Sequence, residues 1–487
     1  MMPSLTSRTF YVPKRYILAA ISLLGFANVY ALRVNLSVAI VTMTKVDPKF
    51  HDWSSTTQGL VLASFFYGYI VTQIPGGMLA EKYGGKWVFG LGCLGTTILT
   101  LVTPIAAYHS LGMLLAVRVL EGFGEGVTFP AMHAMWAKWA PPLEKSKLST
   151  ISYAGPHFGT IIALTVSGVL CDHGFKSPPH NQRWPSVFYV FGLLGLIWCF
   201  AWLYIVSDSP NSHPTISKEE RQYIVSRIES AATKTENDKV SALWLAGRFV
   251  RSPAVWAIVT SHLCNNWGFY ILLTSLPTYF SDVLGFDIKN DGFLSAVPFA
   301  AMFTTVILGG YIADFLRMKK VLSTTHTRKL MNSIGQFCPA IFLIATGYAN
   351  NSVTLAVVFL VLAVGLSGFT LSGFNCTHLD MAPRFAGVLM GLTNTAGTVS
   401  GIVAPYVTGA MTTADKFSPD ILKAQWQRVF FVSAEIYAFG AIIFLILGSA
   451  KQQWWADGPP KSANYADTIN TSDLQNEKGS SGIYGSM

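Results

Sequence analysis

Charge is scarce in this sequence: Asp, Glu, Lys and Arg together make up 12% of 487 residues, roughly half the share of an ordinary soluble domain. So few charges cannot solvate the several water-facing domains that the length alone would suggest. Cysteine is sparse too. Cys93, Cys171, Cys199, Cys264, Cys338 and Cys376 stand singly, with no pair at metal-ligand or disulfide spacing, and read as packing residues. A nucleophile–base or metal-ligand constellation is also missing, so no enzymatic activity, metal or organic cofactor is expected. The formal net charge is +9, yet the basic residues form no stripe for nucleic acid. They collect instead in alternate loops.

What is abundant is apolar: 51% of the residues are hydrophobic. They fall in runs near the ~20 residues that cross the hydrocarbon core as a helix. Twelve candidates lie roughly at 16–43, 57–79, 87–108, 111–137, 148–171, 186–206, 253–281, 291–313, 330–348, 353–376, 385–411 and 428–449. The first run is too long for a signal peptide, carries Arg33 and ends without a small-residue cleavage site, so it reads as a retained span. Most Lys and Arg residues lie on one side. Lys82, Lys86, Lys138, Lys145, Lys147, Arg317, Lys319, Lys320, Arg328 and Lys329 share it, whereas the turns at 108–110 and 349–352 have neither residue. This is the positive-inside pattern with both termini cytosolic. Asn350-Asn351-Ser352 is a glycosylation sequon on the opposite side, close to the membrane.

Six spans (1–206) precede a polar stretch at 207–252, six follow (253–450), and a polar, disordered tail is expected over 451–487. The central stretch holds Ser217-Lys218-Glu219-Glu220, a capping box that predicts a solvated helix to about Ile228. The halves echo each other. Gly77-Met78-Leu79-Ala80-Glu81-Lys82-Tyr83-Gly84-Gly85-Lys86 follows the second span, and Gly310-Tyr311-Ile312-Ala313-Asp314-Phe315-Leu316-Arg317 follows the eighth. Both copies resemble the G-x-L-A-D-R-x-G-R-R loop of the major facilitator superfamily. The resemblance implies an all-α membrane protein of twelve transmembrane helices in two six-helix bundles that rock about a midplane site. It also implies a cytosolic latch in which Glu81, Lys86, Asp314 and Arg317 hold neighbouring helix ends.

Charges inside spans are costly, so they face a cavity or a partner. The fourth span contains Arg118, Glu121 and Glu125. At 100° per residue they fall within about 60° of one another, with His133 about 60° to the other side. A pair that merely fixes packing is the bland alternative. Two acids sharing one cation favour the functional one: one acid is then close to neutrality and exchanges a proton. In the first span, Tyr30 and Ser37 lie within about 60° of Arg33, while Asn28 and Asn35 point away toward neighbouring helices. Arg33 is therefore expected in the pathway, its planar fork suited to a carboxylate. Phe66 and Tyr69 of the second span share a face that could line the same cavity. Glu435, inside the twelfth span, is expected at an interfacial position.

Several blocks then resemble one family: Tyr-Ala-Leu-Arg-Val-Asn-Leu-Ser (30–37), Ser-Phe-Phe-Tyr-Gly-Tyr-Ile-Val-Thr-Gln-Ile-Pro-Gly-Gly (64–77), Glu-Gly-Val-Thr-Phe-Pro-Ala-Met-His (125–133), Trp-Ala-Pro-Pro-Leu-Glu-Lys-Ser-Lys-Leu (139–148) and Ser-Gly-Phe-Asn-Cys-Thr-His-Leu-Asp-Met-Ala-Pro-Arg (372–384). They are similar to the anion/cation symporter family, the group of sialin, the vesicular glutamate transporters, the vesicular nucleotide transporter and the type I sodium/phosphate transporters. By position, Arg33 resembles the family's substrate-side arginine, and Arg118, Glu121, Glu125 and His133 match its charged fourth helix. Leu62 stands where the glutamate branch has a histidine, and Asn265 where it has a second arginine, which points to the sialin-like members; Asp314-Phe315-Leu316-Arg317 and Leu322-Ser323-Thr324-Thr325 look closer to the glutamate branch.

The resemblance implies a carrier of small organic anions in the lipid bilayer. Its expected action is proton-coupled export of acidic sugars from an acidic lumen. The alternatives are voltage-driven vesicular uptake of acidic amino acids, sodium-dependent phosphate or organic-anion cotransport, or an anion sensor that does not transport. Tyr30, Arg33, Ser37, Phe66, Tyr69, Asn265 and Tyr270 are the expected substrate residues. Arg118, Glu121, Glu125 and His133 are expected to couple protons, with sodium as the second coupling ion to test. A lysosomal or vesicle membrane is the expected location, and the C-terminal Tyr484-Gly485-Ser486-Met487 resembles a sorting tetrapeptide that an adaptor would bind.

Overall fold

The computed structural model describes residues 11–178, 181–229, 242–284, 288–349, 352–412 and 419–456. The sequon asparagine at 350 and the Tyr484–Met487 tetrapeptide lie outside the described residues.

Among the described residues, ten helices are long and apolar enough to cross a membrane. In chain order they are the first (Lys14–Val46), second (Thr57–Tyr83), third (Gly85–His109), fifth (Lys145–His173), sixth (Pro185–Ile205), eighth (Ala296–Met318), ninth (Thr324–Tyr348), tenth (Val353–Met381), eleventh (Pro383–Met411) and twelfth (Asp420–Leu447) spans. Two further helical segments complete the set of twelve: the charged fourth, Leu111–Gly126 with Thr128–Trp139, and the seventh, Pro253–Asp282.

Three spans are interrupted near their middles. The fourth breaks at Val127 and the fifth at Ala154. In each, a proline (Pro130, Pro156) lies just downstream; its ring removes the N–H that would continue the helical ladder. The tenth tightens into a 3-10 turn at Gly368–Ser372 before Phe374–Met381. Such breaks are tolerated in a bilayer only where protein surrounds them, and all three face the interior.

The exterior, unlike that of a soluble protein, is as apolar as the core. Large apolar side chains such as Ile197, Phe200 and Ile446 are exposed on the outside. Phe26, Phe89, Trp198 and Trp202 form an aromatic core in the first half; Tyr279, Trp426, Phe430 and Tyr437 form one in the second. Glu435 lies on the exposed face of the twelfth span, away from the interior charges.

The middle of the chain departs from expectation. The helix Lys218–Glu229 forms, and Ser217 caps it through the Glu220 N–H at 3.0 Å. One face is solvated, with Lys218, Glu219, Gln222, Ser226, Arg227 and Glu229 exposed, but the other is not: Ile224 is fully buried and Glu220 nearly so. Rather than closing the capping box, the Glu220 carboxylate accepts the N–H groups of Lys14 (2.8 Å) and Arg15 (3.2 Å) at the start of the first span, together with the Arg15 guanidinium (3.0 Å). Arg15 also pairs with Glu144 at 2.9 Å. Burial pushes the Glu144 carboxyl up, but Arg15 and the Tyr223 hydroxyl outweigh it and hold the group below its ordinary value. A second, unforeseen helix, Ala242–Arg251, precedes the seventh span. The first residues of the tail pack against the bundle: Trp455 is buried against Phe249, and Gln453 N–H bonds the Met381 carbonyl at 2.8 Å.

Candidate functional site

The site begins with the contact between the second and fourth spans. Gly68 faces the Val119 carbonyl and Gly122 faces the Phe65 carbonyl so closely that a Cβ at either would collide with backbone. Small residues let transmembrane helices approach in this way. The approach sets the acids of the fourth span beside the aromatic face of the second.

Arg33 of the first span enters this space. Its guanidinium carbon lies 4.5 Å from the Tyr30 ring centre, 4.8 Å from Phe65, 4.6 Å from Tyr69 and 5.9 Å from Phe66. Tyr270, from the second half, brings its hydroxyl to the same guanidinium. The cation is paired with Glu125, which is fully buried. Arg118 is paired with Glu121. The expectation of two acids sharing Arg118 is therefore corrected: each acid has its own arginine. Arg118 and Glu121 are one turn apart, whereas Glu125 is about 10 Å along the axis from Arg118 and reaches across to the first span instead.

The two acids differ in what else holds them. Glu121 Oε1 accepts the hydroxyls of Thr100 (3.2 Å) and Thr103 (3.0 Å). Glu125 Oε2 has no hydrogen-bond partner among the described residues, nor have Nε and Nη1 of Arg33. Glu121 is thus satisfied and Glu125 is not. An unsatisfied buried ion is the one readier to bind a proton or yield its partner.

The other expected residues scatter. Ser37 is exposed and donates to the Val34 carbonyl of its own helix at 2.7 Å. Asn35, fully buried, makes none of the expected hydrogen bonds to neighbouring helices. Asn265 lines a central cavity of about 70 Å³ with Tyr30, Tyr69, His157, Tyr270 and Asn394. His133 is not part of the charged group: its Nδ1 meets the Tyr153 hydroxyl at 2.5 Å, and its ring lies 5.4 Å from His378 of the tenth span. Eight residues separate it from Glu125, about 12 Å of helix. His378 in turn bonds Thr393 at 2.8 Å, which also meets His262 at 3.1 Å. This chain of side chains across the halves was missed, although His378 stands in the 372–384 block.

The latch residues lie at the end of the bundle that carries the linker. Asp314 accepts the N–H groups of Ser146 (3.2 Å) and Lys147 (2.7 Å) at the start of the fifth span, in the opposite half, and touches Arg317 at 3.4 Å. Glu81 accepts the Val388 N–H near the start of the eleventh span, again in the opposite half. Each acid therefore supplies a cap to unpaired N–H groups and a helix dipole across the interface. Lys86 is corrected: its side chain lies against Trp87, and its N–H donates to Asp208 at 2.8 Å.

Sequence reading missed the strongest link. Asp380 pairs with Lys145 at 3.1 Å and Arg328 at 2.7 Å, and Arg328 also bonds Ser146 Oγ at 2.7 Å. Removing one partner of a buried pair costs about 3–5 kcal/mol. Asp380→Asn is therefore expected to open this end. Cys376, fully buried beside Ser149 (3.2 Å), is a native reporter. With the other cysteines replaced by serine, its maleimide labelling should accelerate by at least about tenfold, a shift well within that energy. An unchanged rate would show that Asp380 does not hold the halves together.

A family model described as Major Facilitator Superfamily matches residues 17–405. The chain belongs to the major facilitator superfamily. It is a multi-pass membrane protein of a family of transporters rather than of enzymes. Among curated relatives it is 44% identical to "Sialin" of Homo sapiens over 91% of this chain and 90% of the relative. It is 42% identical to "Vesicular glutamate transporter 3" of Danio rerio over 98% and 80%, and 43% identical to "Vesicular glutamate transporter 2" of Homo sapiens over 96% and 80%. The fold is shared with the proton:xylose symporter XylE bound to 6-bromo-6-deoxy-D-glucose, with a TM-score of 0.69 at 15% identity over 90% of this chain and 97% of that one. The E. coli fucose:proton symporter FucP has the same fold, with a TM-score of 0.58 at 13% identity over 87% and 99%.

Proposed function

We propose that this transporter carries small organic anions together with protons by alternating access, and that its preferred cargo is a hydroxylated monocarboxylate of the sialic or uronic acid kind. The observation that carries the reading is the Arg33–Glu125 pair inside its aromatic cage. Protonating Glu125 alone would leave Arg33 buried without a counter-ion, and an anion alone would leave Glu125 displaced and charged. Both states cost several kcal/mol. Proton plus carboxylate is the combination that leaves every charge matched, so the two bind together.

The cargo follows from counting cations. Arg118 is held by Glu121, Asn265 is neutral, and Arg33 is the cation that protonation of Glu125 releases. A second carboxylate, as in glutamate, would need Arg118 to leave Glu121 and its two threonines. Hydroxyls and amides of Tyr30, Tyr69, Tyr270 and Asn265 suit the hydroxyl groups of a sugar acid. The second reading is uptake of an acidic amino acid driven by membrane potential, which the likeness to vesicular glutamate transporters favours; sodium-driven anion cotransport is the third.

Symport with protons that leave an acidic lumen implies an acidic compartment, a lysosome or secretory vesicle. The positive-inside distribution supports a cytosolic side for both termini and the latch, where the Tyr484–Met487 tetrapeptide would meet an adaptor. Purified full-length protein in liposomes, offered radiolabelled sugar acids and glutamate under imposed pH, sodium and voltage gradients, should accumulate sugar acids with the pH gradient. Voltage-driven glutamate uptake without sugar-acid flux would overturn this reading in favour of the second. Staining of the full-length chain should coincide with an acidic-compartment marker.

A further inference from the structure

A second cavity lies away from the central site. It is a groove of about 1100 Å³ at the linker end, walled on one side by the second and fourth spans and on the other by the seventh and eleventh spans and the helix Ala242–Arg251. Its charge is gathered at one end. Lys82 and Lys138 come from the first half and Arg384 from the second, with Glu81 as the one acid among the lining residues. Glu81 reaches the Val388 N–H and lies near the charges of Arg384 and Lys138, while its Oε1 has no hydrogen-bond partner among the described residues; among the lining residues three cations stand against one carboxylate.

The rest of the groove is apolar and runs inward. Ile74, Met78, Val259, Leu392 and Ala396 form its floor. From Arg384 to Ala396 is about 18 Å of helix at 1.5 Å per residue, comparable with the half-thickness of a ~30 Å hydrocarbon core. Trp256, half-exposed, and Phe249 stand at the level of the cations, where aromatic side chains favour the membrane–water boundary. Lys82 and Lys138 are exposed. A positive mouth at the interface above an apolar trough one leaflet deep is complementary to a phospholipid with a negatively charged headgroup, and to neither a free polar anion nor a hydrocarbon alone.

We propose that this groove binds one anionic phospholipid of the linker-side leaflet, its headgroup against Lys82, Lys138 and Arg384 and its acyl chains along Ile74, Leu392 and Ala396. Because the walls belong to opposite halves, the bound lipid bridges them on the side where Asp314, Glu81 and Asp380 already hold them closed. The anionic lipid is thereby a ligand of the closed linker end. The inference does not depend on which organic anion is carried.

Native mass spectrometry of the purified full-length protein, delipidated and then given equimolar phosphatidylserine and phosphatidylcholine, tests it. Phosphatidylserine adducts should exceed phosphatidylcholine adducts by at least about fivefold, the factor expected of even one basic contact. The K82Q/K138Q/R384Q protein should lose that preference. Should that variant not fold, Leu392→Trp, which fills the trough and leaves the cations, should lower single-lipid occupancy by at least about fivefold, on the same scale as the lost preference. Equal retention of both lipids by the native protein would overturn the proposal and leave the groove to a segment of the chain itself. Persistence of the preference in the triple variant would also overturn it, as would full displacement of phosphatidylserine by millimolar inorganic phosphate, since the site would then be one for free anions.

Discussion

Glu125→Gln is expected to abolish accumulation driven by a pH gradient, lowering it at least about 10²-fold, the scale of a lost buried charge interaction. Gln has the shape of the protonated acid, so the variant is fixed in the state in which Arg33 is free of its internal partner. Anion binding should survive, and so should one-for-one exchange of labelled for unlabelled substrate, because neither requires the proton to leave. The measurement is paired: net uptake under an imposed gradient, and exchange without one, in the same liposomes. Loss of the first with retention of the second assigns the proton to Glu125. Normal gradient-driven accumulation by the inserted variant would remove Glu125 from the coupling step.

Arg33→Lys should be nearly as severe. An ammonium keeps the charge but cannot present two parallel N–H groups to a carboxylate. It also cannot lie flat among the rings of Tyr30, Phe65 and Tyr69, each within 4.8 Å of the present guanidinium carbon. Uptake efficiency, kcat/KM, is expected to fall at least about 10²-fold, consistent with losing two charge-assisted hydrogen bonds of ~1.5–3 kcal/mol each. The abundance of the variant in the membrane should stay near that of the parent, because Lys can still meet Glu125. Uptake within about threefold of the parent, less than the worth of one such bond, would place the substrate carboxylate elsewhere.

The fold was legible because its cause is one-dimensional. Apolar runs of membrane length and alternating basic loops need no tertiary information, and the two-copy motif that contains Glu81 and Asp314 marked the halves. The charged constellation was legible only in part. Helical phase correctly put Arg118, Glu121 and Glu125 on one face, but phase carries no information about a second helix. The choice of Arg33 by Glu125 depends on how closely Gly68 and Gly122 bring the spans together. His133 misled for a related reason: it shares the angular sector of the acids, yet the break at Val127 and the rise of the helix carry it to another layer, beside Tyr153 and His378. Asp380, Lys145 and Arg328 were not read as a group because each ends or begins a span, where a charge is ordinary. Only the meeting of two halves makes them a set.

Four of the helices that start at the linker end share one more trait. Glu220 receives the first N–H groups of the first span, Asp208 that of the third, Asp314 those of the fifth and Glu81 one from the eleventh. In every case the donor is main chain and the acceptor is a distant side chain. A point mutation to any residue but proline leaves a main-chain N–H in place, so half of each fastening is nearly immune to sequence drift. Substitution reaches these main-chain joints chiefly through the four carboxylates, and at the third span also through Gly84, where any side chain would collide with Asp208. Among substitutions at these joints, those that loosen the linker end should therefore fall on the four carboxylates more often than on the residues whose N–H groups they hold.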